Sequence, residues 1–406
     1  MIAWVFGSKK TGIGKCTKNA IEILKNSLKI KPICNEKDFG KVFSYKTIIY
    51  NLGNSKDSVK IYNLMRKKPG IVILHDRTYH NFFAYYYIDY LKRLDLYLES
   101  LRILYGEEVS KKAERKLERG YLFWESEDSV LYPMRELVYP YSEAIIVHSE
   151  SFSKQIEKEF LGPVLYIPFP FKLRKKRKKR FRIENNRLIF LSYGFLGKNR
   201  MIDDVIKAIG RNKKIKDRVI YMIAGYIEDS LKRELIQIIR QYNLEDSVKI
   251  LGFVSERRLK KLISECFVCI NLRKFTSEVV SWSFFEQVDA EKPVVVSDTG
   301  FFKEIPDDLV FKVKSPEQLE EVFLRILSFP EEAIGKAKRM KEYLKSILSK
   351  DSYKDRFVNF IKEGSYKKTT FITEILKGSS EAIFSLSEGL SAYAVNLISE
   401  GLKIFI

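Results

Sequence analysis

The sequence predicts an α/β protein built from two successive doubly wound domains and a helical C-terminal tail. The chain has 406 residues, of which 45% are hydrophobic and 13% aromatic. A chain of this length is too long for one hydrophobic core, and this composition is apolar enough to fill two. Short apolar runs alternate with helical patterns, and a dense basic run interrupts the alternation near the middle of the chain. The alternation predicts parallel sheets covered by helices, and the basic run marks the boundary between the two domains.

The first domain is predicted over residues 1–170. Several of its apolar runs are continuously apolar, as buried parallel strands require. These strands are Ile2–Phe6, Thr47–Leu52, Ile71–Leu74, Ala144–His148 and Val164–Ile167. The segment between the third and fourth runs, at about 79–141, is rich in Tyr, Leu and charged residues. We interpret that segment as an inserted group of helices.

Residues 171–186 are predicted to link the two domains. The run 172–182 is almost entirely basic and follows Pro168 and Pro170. Repelling charges cannot be packed in a core, so a solvated linker is the first interpretation. Two alternatives stay open, a patch that docks on anionic lipid headgroups and a contact with nucleic acid. The net charge of +21 predicts attraction to polyanions without identifying which one.

The second domain is predicted over residues 187–345, where the alternation resumes. Its strands are Leu188–Tyr193, Val219–Ala224, Val248–Leu251, Phe267–Leu272 and Val294–Ser297, and helices are expected at Asp229–Tyr242 and Glu256–Glu265. Ligand sites of doubly wound sheets lie outside the carboxyl ends of the strands. We therefore expect the chemistry in the loops that follow these strands.

Two further segments follow the second domain, a closing helix at 346–363 and a tail at 364–406. The apolar residues of the tail recur at spacings of three and four, which predicts an amphipathic helix. Membrane-surface helices carry basic residues on the polar face, whereas glutamates outnumber lysines in this tail. Packing on its own chain, or self-association with a second subunit, is therefore preferred over contact with lipid.

The sequence also bounds location and metal content. No run approaches the about 20 apolar residues of a membrane span, and the first residues are typical of a strand and turn rather than a signal peptide. We expect a cytoplasmic protein, with peripheral membrane contact through 172–182 as the open alternative. Abundant Ile, Lys and Glu are typical of thermophilic proteins. Cys266 and Cys269 share a CxxC spacing inside an apolar run, where core packing is the better interpretation than metal binding.

Glu278 and Glu286 are the first candidates for ligand binding. They are eight residues apart in a segment that follows a predicted strand. On a continuous helix this spacing is just over two turns, which would place both carboxylates on one stripe about 12 Å apart. The residues between them are apolar and aromatic, so these acids are not on a plainly solvated face. The spacing predicts that the pair grips two parts of one elongated ligand.

Several ordered motifs resemble those of retaining family 4 glycosyltransferases, which are also described as glycosyl transferases group 1. In the second half these motifs are Asn271–Arg273, Thr276, the Glu278 and Glu286 pair, Lys292–Asp298, Gly300 and Glu304–Pro306. In the first half they are Asn51–Ser55, Pro69–Gly70, Leu74–Asp76 with His80, and Val147–Glu150. The resemblance covers about residues 1 to 360. It implies the GT-B fold, in which two Rossmann-like domains face a central cleft.

The resemblance implies specific roles for individual residues. Glu278 would contact the hydroxyls of the donor sugar and Glu286 the ribose of the nucleotide, since a carboxylate can accept a pair of hydroxyls. The loop of Gly12 and Gly14 would face the donor phosphates, because glycine lets backbone amides approach a phosphate at a helix N-terminus. His75 would make a polar contact near the reacting sugar, whereas His148 is interpreted as structural.

The implied reaction moves a sugar from a nucleoside-diphosphate donor to an acceptor hydroxyl with retention of configuration. The resemblance implies no metal and no cofactor, with a UDP- or GDP-linked sugar as substrate and a glycan, a lipid-linked molecule or a protein as acceptor. The predicted catalytic residues are Glu278, His75 and Arg200. The predicted donor-binding residues are Gly12, Gly14, Lys198, Arg200, Arg273, Thr276, Glu278, Val279, Val280 and Glu286.

The phosphate-binding motif departs from the family pattern. Family members usually place an Arg and a Lys after the first strand of the second domain, and the matching stretch here has Gly197 and Arg200, with Lys198 nearby. Bidentate recognition of phosphate favours Arg200. The departure leaves two alternatives to an active enzyme, a GT-B scaffold subunit with weakened catalysis and a protein that binds nucleic acid or an anionic surface.

Overall fold

The computed structural model describes residues 1–8, 11–174, 181–275, 278–348 and 350–364. Most of the basic run, Thr276 and nearly all of the predicted tail lie outside these residues. The strands are β1 (Ile2–Val5), β2 (Ile30–Ile33), β3 (Thr47–Leu52), β4 (Gly70–Leu74), β5 (Ser142–Val147), β6 (Val164–Tyr166), β7 (Ile183–Glu184), β8 (Arg187–Phe195), β9 (Val219–Tyr226), β10 (Val248–Gly252), β11 (Val268–Asn271), β12 (Val294–Ser297) and β13 (Phe311–Val313).

Helices separate the strands. They are α1 (Gly12–Leu24), α2 (Val59–Lys67), α3 (His80–Ala84), α4 (Leu94–Tyr105), α5 (Glu107–Glu118), α6 (Asp128–Leu131), α7 (Glu150–Ile156), α8 (Ile202–Arg211), α9 (Lys213–Lys216), α10 (Asp229–Gln241), α11 (Glu256–Glu265), α12 (Trp282–Asp289), α13 (Gln318–Ser328), α14 (Pro330–Ile347) and α15 (Lys350–Glu363). Among the described residues, no helix is both long and apolar enough to cross a membrane.

The described chain divides into two compact units. The N-terminal unit contains residues 1–170, the short segment 278–280 and the described residues from 350 onward. The C-terminal unit contains the described residues of 171–275 and 281–348. The chain therefore enters the N-terminal unit three times.

The N-terminal unit is a six-stranded parallel sheet in the order β2-β1-β3-β4-β5-β6. Strands β1, β3 and β4 are buried along their whole length, as their continuous apolar runs predict. The strand order reverses between β1 and β3, and such a switch point is where doubly wound sheets bind ligands. Helix α15 returns to this unit and packs on α1, with Phe357 stacked on Trp4 at 5.4 Å between ring centroids.

The predicted helical insertion is present as α3 to α6, together with segments of 3-10 and π-helix. His80 connects its parts, because its Nδ1 lies 2.6 Å from the Tyr132 carbonyl and its Nε2 lies 2.7 Å from the Tyr97 hydroxyl. The ring is fully buried, and burial lowers its pKa to about 4. His80 is therefore a neutral structural residue that holds the insertion together.

The C-terminal unit has the strand order β10-β9-β8-β11-β12-β13, all parallel, with β7 added antiparallel to β8. Counted from β8, this is the order 3-2-1-4-5-6 of dinucleotide-binding domains. Its switch point lies between β8 and β11. Gly225 of β9 has φ of +148°, and a Cβ there would lie 1.8 Å from the Gly194 carbonyl oxygen of β8. Only glycine fits where the carboxyl ends of these two strands approach.

Three strands were not predicted from the sequence. Strand β2 contains Lys31 and Pro32, which are exposed, and β13 contains the half-buried Lys312. Both lie at sheet edges, where polar residues and proline are tolerated and the apolar signal is weak. The third, β7, is only two residues long. Helices α10 and α11 lie where they were expected, within one residue at each end.

Candidate functional site

The switch point of the C-terminal unit brings two loops together. One loop follows β8 and contains a helical turn at Lys198–Arg200. The other follows β11, and the Lys274 amide donates a 2.8 Å hydrogen bond to the Asn199 carbonyl. Parallel strands end at one edge of the sheet, so the side chains that follow β8 and β11 are held at a shared site.

Asn271, the last residue of β11, gathers two arginines at this site. Its Oδ1 accepts hydrogen bonds from Arg273 Nη1 at 2.8 Å and from Arg200 Nη1 at 3.3 Å. Arg200 also donates from Nε to the Phe195 carbonyl at 3.1 Å. Arg273 is only 3% exposed, so its charge lies largely out of water. Two guanidinium groups fixed at the end of a parallel sheet suit the binding of a diphosphate.

Lys198 takes a different position from Arg200. Its side chain is 72% exposed, and its Nζ lies 3.4 Å from Glu234 of α10. Of the two predicted phosphate-binding cations after β8, Arg200 contacts the strand-end cluster and Lys198 pairs with a surface glutamate. Gly197 precedes the helical turn and contributes no cation to the cluster.

Helix α12 supports the same cluster. The Nδ2 of Asn271 donates to Ser283 Oγ at 3.2 Å and to Gln287 Oε1 at 3.1 Å, so the amide group of Asn271 is fully engaged. Glu286 lies on this helix and is half-buried. Burial raises the pKa of Tyr193 in β8, and the nearby charge of Glu286 raises it further. Glu286 is therefore close to the β8 end of the switch point.

Glu278 does not share a helix with Glu286, so the predicted helical stripe is wrong. Helix α12 begins only at Trp282. Glu278 instead forms an isolated antiparallel bridge with Asp76 of the N-terminal unit, and the Val279 amide donates to the His75 carbonyl at 3.0 Å. Val279 and Val280 pack against the core of that unit, which holds the segment out of the helix.

The N-terminal unit holds its own set of polar residues at the end of β4. Asp76 Oδ2 accepts a hydrogen bond from the Asn54 amide at 2.8 Å. Burial raises the pKa of Asp76 to about 7. The hydrogen bond from the Asn54 amide acts to lower this pKa, whereas the negative charge of Glu278 acts to raise it. Burial also lowers the pKa of His75 to about 3, with a further contribution from His148. His75 is therefore a neutral imidazole at neutral pH.

The glycines predicted to face a phosphate begin helix α1. Gly12 is exposed and starts the helix, whereas the Gly14 amide already donates to the Thr11 hydroxyl at 3.1 Å. Thr11 is thus the N-cap, and the amides of Gly12 and Ile13 are the ones at the open end of the helix. Thr276, also predicted to bind the donor, lies outside the described residues.

Several residues of these sites were not among the predicted ones. Asn271, Ser283 and Gln287 organise the arginine cluster, and Asp76 holds Glu278. Asn271 and Asp76 belonged to the motifs of the resemblance, and each lies at or just past the carboxyl end of a buried strand. A polar residue at that position was the available signal. Ser283 and Gln287 carried no such signal, because only the helix orientation turns them toward Asn271.

Comparison with known proteins agrees with this geometry. Residues 174–347 match the family model described as Glycosyl transferases group 1. The uncharacterized glycosyltransferase YqgM of Bacillus subtilis (strain 168) is 25% identical over 163 residues, which are 40% of this chain and 44% of that protein. The matched region thus spans less than half the length of this curated relative. These matches support a glycosyltransferase.

Solved structures show the fold. HepE of Anabaena in complex with UDP has a TM-score of 0.58 at 14% identity, over 89% of this chain and 99% of that chain. Sucrose-phosphate synthase of Thermosynechococcus elongatus has a TM-score of 0.59 at 14% identity, and the match covers 89% of this chain and 98% of that chain. WaaG, a glycosyltransferase involved in lipopolysaccharide biosynthesis, has a TM-score of 0.55 at 11% identity, and the match covers 89% of this chain and 99% of that chain. The predicted GT-B fold is confirmed.

Proposed function

We propose that this protein transfers a sugar from a nucleoside-diphosphate donor to an acceptor hydroxyl with retention of configuration. One observation carries the proposal. Arg200 and Arg273 converge on Asn271 at the switch point of a nucleotide-binding type of sheet. That sheet lies in the region that matches Glycosyl transferases group 1.

The arginines would bind the diphosphate and stabilise it as it leaves. Planar guanidinium groups bind phosphate oxygens through two parallel hydrogen bonds. The charge of the buried Arg273 is screened less by water than that of an exposed cation, so its interaction with a developing phosphate charge is stronger. In this proposal the departing diphosphate accepts the proton of the acceptor hydroxyl, and no protein nucleophile takes part.

Glu286 would bind the ribose of the nucleotide. It lies on α12, the helix that also supplies Ser283 and Gln287 to the arginine cluster. Its carboxylate can accept hydrogen bonds from two ribose hydroxyls. Two of the HepE structures contain UDP with glucose or UDP-glucose. We therefore propose a uridine nucleotide as the first candidate.

The sugar would be contacted by His75 and Glu278, as the resemblance implies. Both belong to the N-terminal unit, where the Val279 amide and the His75 carbonyl are hydrogen-bonded. This bond and the Asp76 bridge hold the Glu278 backbone in place. A fixed backbone supports positioning of the sugar, which is a main source of rate in reactions without a protein nucleophile.

Calorimetric titration with UDP, GDP and ADP tests the nucleotide site. We expect one of the three to bind the wild-type chain and Glu286→Ala to abolish the signal. Glu321→Ala, which removes an exposed glutamate from α13 in the same unit, serves as the matched control and keeps wild-type binding. Absence of binding by all three nucleotides would overturn the proposal.

A scaffold subunit with weakened catalysis is the second candidate. The observation in its favour is that Gly197 occupies the position of the usual cation while Lys198 pairs with Glu234. Incubation with UDP-sugars separates the two candidates. An enzyme releases UDP, slowly without acceptor and faster with it, and Glu278→Ala suppresses the release. A scaffold binds UDP but releases none from the sugar nucleotide.

A further inference from the structure

Three potential metal ligands meet in the N-terminal unit. They are Cys16 of α1, His75 after β4 and His148 after β5. One side-chain ligand atom of each lies within 4.8 Å of the corresponding atoms of the other two. Cys16 and His148 are buried, and His75 is half-buried. His80, the third histidine of the chain, is not part of this group because both of its ring nitrogens are bonded within the helical insertion.

Hydrogen bonding determines which nitrogen of His148 is available. Its Nδ1 lies 3.1 Å from the Ile167 carbonyl oxygen, which can only accept, so Nδ1 carries the proton. Its Nε2 is then an unprotonated acceptor. Within the described part of the chain that atom is buried and has no hydrogen-bond partner. A buried acceptor without a donor is rare and calls for an explanation.

A longer chain of bonds determines the tautomer of His75. The Thr17 hydroxyl donates to the Ile13 carbonyl at 2.8 Å, so its oxygen must accept from Nδ2 of Asn51. This orients Asn51 with its Oδ1 toward His75 Nε2, 3.1 Å away. His75 Nε2 therefore carries the proton, and Nδ1 keeps its lone pair. Histidines that bind metal are held in this way, with the other ring nitrogen donating to a carbonyl oxygen.

The thiol of Cys16 completes the set. Burial raises its pKa, so it is protonated when no metal is present. The neighbouring His75 and His148 rings have centroids 5.9 Å apart. Two neutral imidazoles and a thiol that is deprotonated when it binds a metal match the preferences of Zn²⁺.

We propose that Cys16, His75 and His148 bind one Zn²⁺ ion, with a fourth position for water. Zinc binds sulfur at about 2.3 Å and imidazole nitrogen at about 2.0 Å, so ligand atoms of a tetrahedral site are about 3.5 Å apart. From separations of at most 4.8 Å, each pair of ligand atoms would therefore have to approach by about 1.3 Å or less. Binding forms the Zn–S bond and releases the Cys16 proton to water.

The zinc site goes beyond the proposed transfer reaction and is testable apart from it. All three ligands belong to the N-terminal unit, whereas the proposed nucleotide site is built from Arg200, Arg273 and Glu286 of the C-terminal unit. In the zinc-bound chain both ring nitrogens of His75 are engaged. The sugar contact that the resemblance implies for His75 therefore belongs to the zinc-free chain.

Metal content of the full chain tests the proposal. After equilibration with Zn²⁺ and removal of unbound metal, elemental analysis should find one zinc ion per wild-type chain. Cys16→Ser and His148→Ala should each lose it. Cys34→Ser, which changes a half-buried cysteine of the same unit, is the matched control and should keep it. Asn51→Ala removes the hydrogen bonds to His75 and Thr17 but no proposed ligand, and it should weaken zinc binding by about 10 to 100-fold.

A second readout uses cobalt in a chain without the CxxC cysteines. In the Cys266→Ser/Cys269→Ser chain, Co²⁺ should give a thiolate-to-cobalt absorption band that disappears when Cys16→Ser is added. Circular dichroism and the thermal midpoint establish that each variant is folded. No zinc in the wild-type chain, zinc retained by folded Cys16→Ser, or no cobalt–thiolate band would each overturn the proposal.

Discussion

Replacement of Asn271 by aspartate should separate nucleotide binding from stability. Asn271 Oδ1 lies 3.3 Å from Arg200 Nη1, and a phosphate oxygen bound by that arginine would lie about 2.8 Å further on. The new carboxylate would therefore be about 6 Å from the phosphate. At an effective dielectric constant of about 20, repulsion between two unit charges at this distance is about 3 kcal/mol. We expect Asn271→Asp to weaken UDP binding by about 100-fold.

The same substitution should leave the fold intact. The carboxylate still accepts from Arg200 and Arg273, and these stronger bonds offset the lost donations to Ser283 and Gln287. The free energy of unfolding should change by about 1 kcal/mol or less. Calorimetry with UDP and urea denaturation measure the two effects separately.

Asn271→Ala should show the opposite pattern to Asn271→Asp. It removes the shared acceptor of the two arginines and should lower the free energy of unfolding by about 2 to 4 kcal/mol. Both cations remain for the phosphate, so UDP affinity should fall less than in Asn271→Asp. Equal UDP affinity in Asn271→Asp and the wild type would refute a phosphate site at this cluster.

Two further predictions concern stability in the N-terminal unit. Phe357 is fully buried and stacked on Trp4, so Phe357→Ala should cost about 3 to 5 kcal/mol in urea denaturation, and a cost below about 1 kcal/mol would contradict the packing of α15. Burial raises the pKa of Glu159, but its bonds with Arg135 and Tyr139 outweigh burial and hold that pKa below the usual value. Because the folded-state pKa is depressed, the pair stabilises the fold above the ordinary pKa of glutamate, and this contribution is lost as pH falls through the lowered value. Arg135→Met should therefore lower the free energy of unfolding by about 3 kcal/mol at pH 7, and the difference from wild type should narrow below about pH 4.

The fold was readable from the sequence because its central strands are buried on both faces. Strands β3 and β12 were predicted to the residue, since a strand covered by helices on both sides must be apolar throughout. Edge strands escape this requirement, and β2 and β13 were missed for that reason. The sheet orders could not be predicted, because they depend on which strands pair and not on the pattern within any strand.

The candidate site was predictable in residue type but not in arrangement. The resemblance predicted Arg200, Arg273, Glu278 and Glu286 as site residues, with Arg200 in a stretch that departs from the family pattern. Their spacing suggested one helix for the two glutamates, whereas the packing of Val279 and Val280 holds Glu278 in the N-terminal unit. The choice between Lys198 and Arg200 also depended on tertiary contacts, since the two cations are only two residues apart in sequence and turn to different partners.

The sequence by itself therefore determined the two α/β domains and the helical insertion, and it predicted the residue types of a sugar-nucleotide site. These features depend on local periodicity and on motifs in a fixed order. Only the tertiary structure decided which distant residues share a site. The strands that precede His75 and His148 are neighbours in one sheet, and α1 brings Cys16 beside the two histidines. No local pattern links these three residues, because their proximity arises from the pairing of strands that are far apart in the chain.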